Sequence, residues 1–208
     1  MLTIGTASLF MISLATFTGC GGTDQKNEHE ETTMDHGHGG REEHHHDHAN
    51  GDMDVSSMNV EQSTSATEVI NAYLEIKNAL TEDDDTKAAL AGKKLVTAFG
   101  NIDKSSIPQE QMGEVNDIIE NAKENAEHIS DNKGNIEHQR EHLSELFEDI
   151  KDLIAITGSD RALYEIYCPM ANNNEGGMWL SASDEVKNPF MGSQMLSCGT
   201  VKAEISLK

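Results

Sequence analysis

The residues best suited to chemistry are sulfur and imidazole side chains, in three groups. Tyr167-Cys168-Pro169-Met170 places a thiol and a thioether two residues apart, on one face if the chain is extended. Met195-Leu196-Ser197-Cys198 places the same pair three apart, a spacing that suits a turn. Two thiols and several thioethers in one small module would form a soft site of the kind Cu(I) or Ag(I) prefers. The plain alternative is a Cys168–Cys198 disulfide that staples the module. From the residues alone both stay open, and they could be alternate states of one site.

The second group is His138 and His142, four residues apart on a predicted helix and so projecting from one side of it. Such a pair can chelate an ion; the bland reading is a surface pair, or a His142 hydrogen-bonded at a helix boundary. The sequence His-Gln-Arg-Glu-His lacks the glutamate position of the metalloprotease motif. His128, near the end of the preceding predicted helix, reads as a helix C-terminal cation. The third group lies in residues 34–58, where His36, His38, His44, His45, His46 and His48 are flanked by Met34, Met53 and Met58. Imidazole suits copper, zinc and nickel, and thioether sulfur favours Cu(I). These histidines are dispersed among Asp, Glu and Gly, so the expectation is metal capture by a chain without preorganisation, against the alternative of a solvated linker.

The elements that must position these groups follow from periodicity. Residues 1–19 are uncharged and mostly apolar, and Phe17-Thr18-Gly19-Cys20 looks like a bacterial lipobox. The expectation is a signal peptide over 1–19, with Cys20 as a lipid anchor tethering the chain to a membrane. Residues 20–65 hold almost no large aliphatic side chains, so they read as a disordered tether. From Ser65 the spacing becomes helical. Ser65-Ala66-Thr67-Glu68 has the capping-box pattern, and Val69, Tyr73, Ile76 and Leu80 form a stripe.

Thr81 with the acidic run 82–85 suits a second helix start, and Ser106-Ile107-Pro108 a third. A fourth helix spans about 135–157 and ends at Gly158. Four helices with short loops predict an antiparallel bundle over 66–161. Strands are predicted at Leu163–Tyr167, Met178–Ser181 and Thr200–Leu207, giving a small β and irregular Cys/Met module over 162–208. The fold class expected is therefore mainly α.

Charge limits what such a chain can bind. Its 208 residues carry a formal charge of −22. Nucleic-acid affinity comes largely from Lys and Arg displacing counterions, so a nucleic-acid partner is not expected. A basic patch on an anionic membrane is excluded for the same reason. No phosphate loop, nucleophile elbow or Cys-x-x-Cys motif is present, so an enzyme is not expected either.

In their order, Tyr167-Cys-Pro-Met-Ala171, Trp179-Leu-Ser181, Asn188-Pro-Phe-Met-Gly192 and Met195-Leu-Ser-Cys-Gly199, after a helix carrying His138 and His142, resemble the domain of unknown function 3347 family. Phe190 stands where Tyr is usual, and Leu143 where an aromatic is common. The family consists of envelope proteins, many with lipoprotein signals. Its motifs are similar to a module fused to copper and silver efflux adaptor subunits; this chain lacks the adaptor's lipoyl and hairpin segments.

The resemblance implies a helical bundle with a small motif region and a role in handling heavy-metal ions. It carries over Cys168, Met170, Met195, Cys198 and His142 as ligands. The expected protein is a lipid-anchored one facing the periplasm or outer surface of a bacterial cell. It would bind copper, Cu(I) before Zn(II) or Ag(I), and pass it to efflux-pump components. The alternative expectation, from another class, is a non-metal interaction domain stapled by the Cys168–Cys198 disulfide.

Overall fold

The computed structural model describes residues 57–208. Cys20, His36, His38, His44, His45, His46 and His48 lie outside the described residues. Four helices, α1 (Thr67–Thr81), α2 (Asp85–Phe99), α3 (Met112–Asp131) and α4 (Ile136–Thr157), pack in sequence order, each against the next. Short turns at 82–84 and 132–135 reverse the chain, so the neighbours they join are antiparallel. No helix among the described residues is long and apolar enough to cross a membrane.

The helix ends follow from local chemistry, with one exception. Asp84 caps α2 by accepting the Lys87 backbone N–H at 2.8 Å. Asn135 caps α4 by accepting the His138 backbone N–H at 3.4 Å, and Gly158 ends that helix. The capping box expected at Ser65 does not form. Helix α1 begins at Thr67 without a side-chain cap, because the Ser65 hydroxyl pairs with Ser63 and Glu68 accepts from Asn101.

The core at the helix interfaces is mostly aliphatic. Leu80, Leu95, Ile129, Leu143, Leu146, Phe147 and Ile150 are almost wholly shielded from water. Burying a side chain of this size contributes about 1.5–3 kcal/mol each before the ordering entropy is counted. Gly92 lets α2 approach α3 closely, since a Cβ there would meet the Ala126 carbonyl oxygen at 2.9 Å.

A four-stranded sheet in the order β1-β4-β2-β3 lies against the helices, formed by β1 (Met58–Val60), β2 (Leu163–Cys168), β3 (Gly177–Ser181) and β4 (Thr200–Leu207). The β2–β3 and β2–β4 pairs are antiparallel, whereas β1 joins β4 in parallel. This corrects the end of the expected tether, for residues 58–60 are a sheet edge and Gln62 bridges to Ser159. Val60 is buried, and the main chain of this three-residue strand finds its partner 147 residues away, which no local pattern announces.

Three contacts fix the sheet and its β3–β4 loop to the helices. Leu180 N–H donates to the Tyr73 hydroxyl at 3.1 Å. Lys151 Nζ donates to Glu165 Oε2 at 2.8 Å. Arg140 Nε donates to the Pro189 carbonyl at 2.8 Å.

Candidate metal centre

Helices α3 and α4 form a hairpin about the 132–135 turn, so residues at similar distances from the turn face one another. His128 on α3 thereby meets His138 and His142 on α4. One ring nitrogen from each of the three lies within 4.8 Å of the others. His138 and His142 approach with their Nε2 atoms 3.2 Å apart. Their rings are nearly perpendicular, at 87° and 4.6 Å between centroids. His128 stacks on His142, with centroids 4.4 Å apart and planes 12° apart.

Burial grades across the cluster. His142 is the most enclosed, with 14% of its side chain exposed, His138 has 35%, and His128 is exposed. Burial holds the His142 pKa below the usual imidazole value, and the neighbouring His128 and His138 add to the effect. Neutral imidazole is the form that binds a metal.

The outer nitrogens of the α4 pair are anchored. His142 Nδ1 lies 2.8 Å from Asn125 Oδ1, and His138 Nδ1 lies 2.8 Å from Glu141 Oε2. A hollow of about 360 Å³ opens beside His128 and His142, walled by Glu124, Asn125, Glu145 and Asp149. Burial raises the Asp149 pKa above the usual carboxylate range. The arrangement offers imidazole nitrogens at the centre and carboxylates around its mouth.

The sulfur residues are placed differently. Cys168 and Cys198 are joined as a disulfide, with Cα atoms 5.8 Å apart. Of the two arrangements open to them, the structure has the disulfide, in which each sulfur takes the other as its partner. Met170 and Met195 are 43% and 40% exposed. Met170 lines another hollow, with Met191, Phe190 and Glu141. Neither cysteine joins the histidine cluster.

His128 stands in the last turn of α3, as expected, and has a second contact that its place in the sequence did not announce. Besides lying at the carboxyl-terminal end of α3, its ring turns onto α4 and stacks on His142. The signal that could have found it was the short turn, which brings positions 128 and 138 to matching distances from the reversal.

Residues 69–162 match the family described as "Protein of unknown function (DUF3347)". This segment belongs to that family. The DUF3347 segment contains α2, α3, α4 and nearly all of α1, hence all three clustered histidines. It stops at the start of β2, so Cys168, Met170, Met195 and Cys198 lie beyond the DUF3347 match. No curated protein and no solved structure matches the chain.

Proposed function

We propose that this protein binds heavy-metal ions, copper among them, at the bacterial cell envelope, and holds them or hands them to an efflux system. The observation that carries this reading is the convergence of His128, His138 and His142, each offering a ring nitrogen within 4.8 Å of the others. Imidazole is a ligand for copper, zinc and nickel. The acidic surroundings raise the local concentration of cations. The lipobox-like run ending at Cys20 supports attachment to a membrane by a lipid. The Cys168–Cys198 disulfide suits an oxidising compartment outside the cytoplasm. The histidine-rich stretch from His36 to His48 would gather ions, and the cluster would hold them.

The disulfide favours a structural part for the two cysteines, so the sulfurs do not carry the metal reading. Equilibrium dialysis against copper and zinc tests it. The full chain is compared with a chain whose His29, His36, His38, His44, His45, His46 and His48 are replaced by Asn. A second comparison adds His128→Ala, His138→Ala and His142→Ala. The seven-Asn chain should retain one tightly held ion, and the further triple substitution should remove it. Retention of no ion by the seven-Asn chain, or of the same ion by both, contradicts the proposal.

A further inference from the structure

The hydrogen bonds around the α4 pair decide where its protons are. Asn125 Nδ2 donates to Asp149 Oδ2 at 3.4 Å, which leaves Asn125 Oδ1 facing His142 Nδ1 at 2.8 Å. An amide oxygen accepts only, so His142 Nδ1 carries the hydrogen. A carboxylate also accepts only, and Glu141 Oε2 lies 2.8 Å from His138 Nδ1. In the neutral rings both Nε2 atoms are then bare lone pairs. They face each other at 3.2 Å, an arrangement that repels unless a proton on one ring, donated to the other Nε2, or a metal ion lies between them.

The separation selects among cations. Two nitrogens that each lie about 2.0–2.1 Å from an ion are about 3.3 Å apart at a tetrahedral angle and about 4.1 Å apart in line. The observed 3.2 Å is the tetrahedral spacing. The linear arrangement open to a soft monovalent ion would need the rings to part. No sulfur lines the hollow beside the cluster, whereas the carboxylates of Glu124, Glu145 and Asp149 do. Nitrogen and carboxylate ligands suit a borderline divalent ion, and sulfur suits Cu(I).

We infer that His138, His142 and His128 form a tetrahedral three-nitrogen centre for a divalent first-row ion of the Zn(II) type, its fourth position opening on the acidic hollow. The inference rests on the reading of the protein as a metal handler and narrows it to an ion class. It departs from the Cu(I) preference expected of the sulfur residues. The exposed His128 ring turns from its stack on His142 to complete the set. Asn125 and Glu141 are positioning residues: each holds an Nδ1–H and so directs an Nε2 at the ion. The open fourth position keeps the ion exchangeable, as a carrier requires.

The test uses the full chain with the seven upstream histidines replaced by Asn, and Co(II) as a coloured stand-in for Zn(II). One equivalent of Co(II) should give the intense visible absorption of a tetrahedral site, and Zn(II) should bleach it by displacement. Asn125→Ala should weaken Zn(II) binding about 10–100-fold with the melting temperature little changed. Asn125→Asp, which keeps an acceptor for Nδ1–H, should restore most of it.

Weak six-coordinate Co(II) absorption would overturn the inference, as would Zn(II) affinity unchanged in Asn125→Ala. One equivalent of Cu(I) bound anaerobically, with no Co(II) or Zn(II) bound, overturns the ion class and leaves the metal-handling reading standing. Binding of none of these ions overturns both.

Discussion

Arg140 Nη2 lies 2.6 Å from Asp83 Oδ1 across the interface between α4 and the α1–α2 turn. Arg140 stands between His138 and His142 in sequence but points to the opposite side of the helix, with 6% of its side chain exposed. Its other hydrogens go to the carbonyls of Leu80 and Pro189 and to Glu137. Hydrogen bonds from Arg140 and Ser193 hold the Asp83 carboxyl below the usual carboxylate range, the Ser193 contribution being the larger. One side chain thus orients the helix that carries the cluster and clamps the carboxyl-terminal module to it. Arg140→Met should lower unfolding stability by about 2–4 kcal/mol, because it strands carbonyls and a carboxylate that are now paired. Chemical denaturation measures it; a loss under 0.5 kcal/mol would show the clamp to be ornamental.

The same junction makes a backbone prediction. Gly192 adopts φ +51°, and a Cβ there would collide with the Asp83 carboxylate and come within 2.7 Å of Arg140 Nη2. Gly192→Ala should therefore cost about 1–3 kcal/mol, combining left-handed strain with displacement of the ion pair. In the Asp83→Asn background the cost should shrink, since the carboxylate charge that pairs with Arg140 is already gone. An equal cost in both backgrounds would show that the two positions are not coupled.

The disulfide closes a loop with a sequence separation of 30. In the chain-entropy account this restricts the unfolded state by about 3–4 kcal/mol. Cys168→Ser with Cys198→Ser should lower stability by that order. Zn(II) affinity at the histidine cluster should stay within about threefold where the protein remains folded, because no cysteine belongs to the cluster. Loss of Zn(II) binding in a folded double variant would return the sulfurs to the centre of the account.

Acidity should loosen the metal-free fold through His142. Burial first, then His128 and His138, depresses its pKa in the folded chain below the ordinary 6.5. The folded form therefore binds this proton less readily than the unfolded form. The stability it contributes is present above about pH 6.5 and is lost as the pH falls below that value. Glu148 and Asp149, raised by burial, act in the opposite sense at more acid pH. The melting temperature of the metal-free protein should fall between pH 7.5 and 5.5, and fall less in His142→Asn. Parallel curves for the two proteins would remove His142 as the responsible group.

Most of the architecture was readable because it is local. The α4 stripe with Gly158, the acidic start of α2 and the β2, β3 and β4 runs carry their period and their stops in sequence. What escaped depends on distant partners. Strand β1 exists because Met58–Val60 finds β4, and Ser65 fails as a cap because Ser63 reaches it first. Of the site, His138 and His142 were visible as an i, i+4 pair. His128 was visible as a residue but not in its role, since only the hairpin brings it to them. The choice between thiolates and disulfide at Cys168 and Cys198 turns on three-dimensional proximity, which spacing leaves open.

Long-range ¹⁵N–¹H NMR of the histidine rings tests the central claim most directly, because it reads which ring nitrogen carries the hydrogen and which takes an ion. With the seven upstream histidines replaced by Asn, the metal-free protein at pH 7.5 should show His138 and His142 as Nδ1–H tautomers. One equivalent of Zn(II) should then shift the Nε2 resonances of both, and a ring nitrogen of His128, in slow exchange. Nε2–H tautomers in the metal-free protein, or ring nitrogens that ignore Zn(II), would contradict the account.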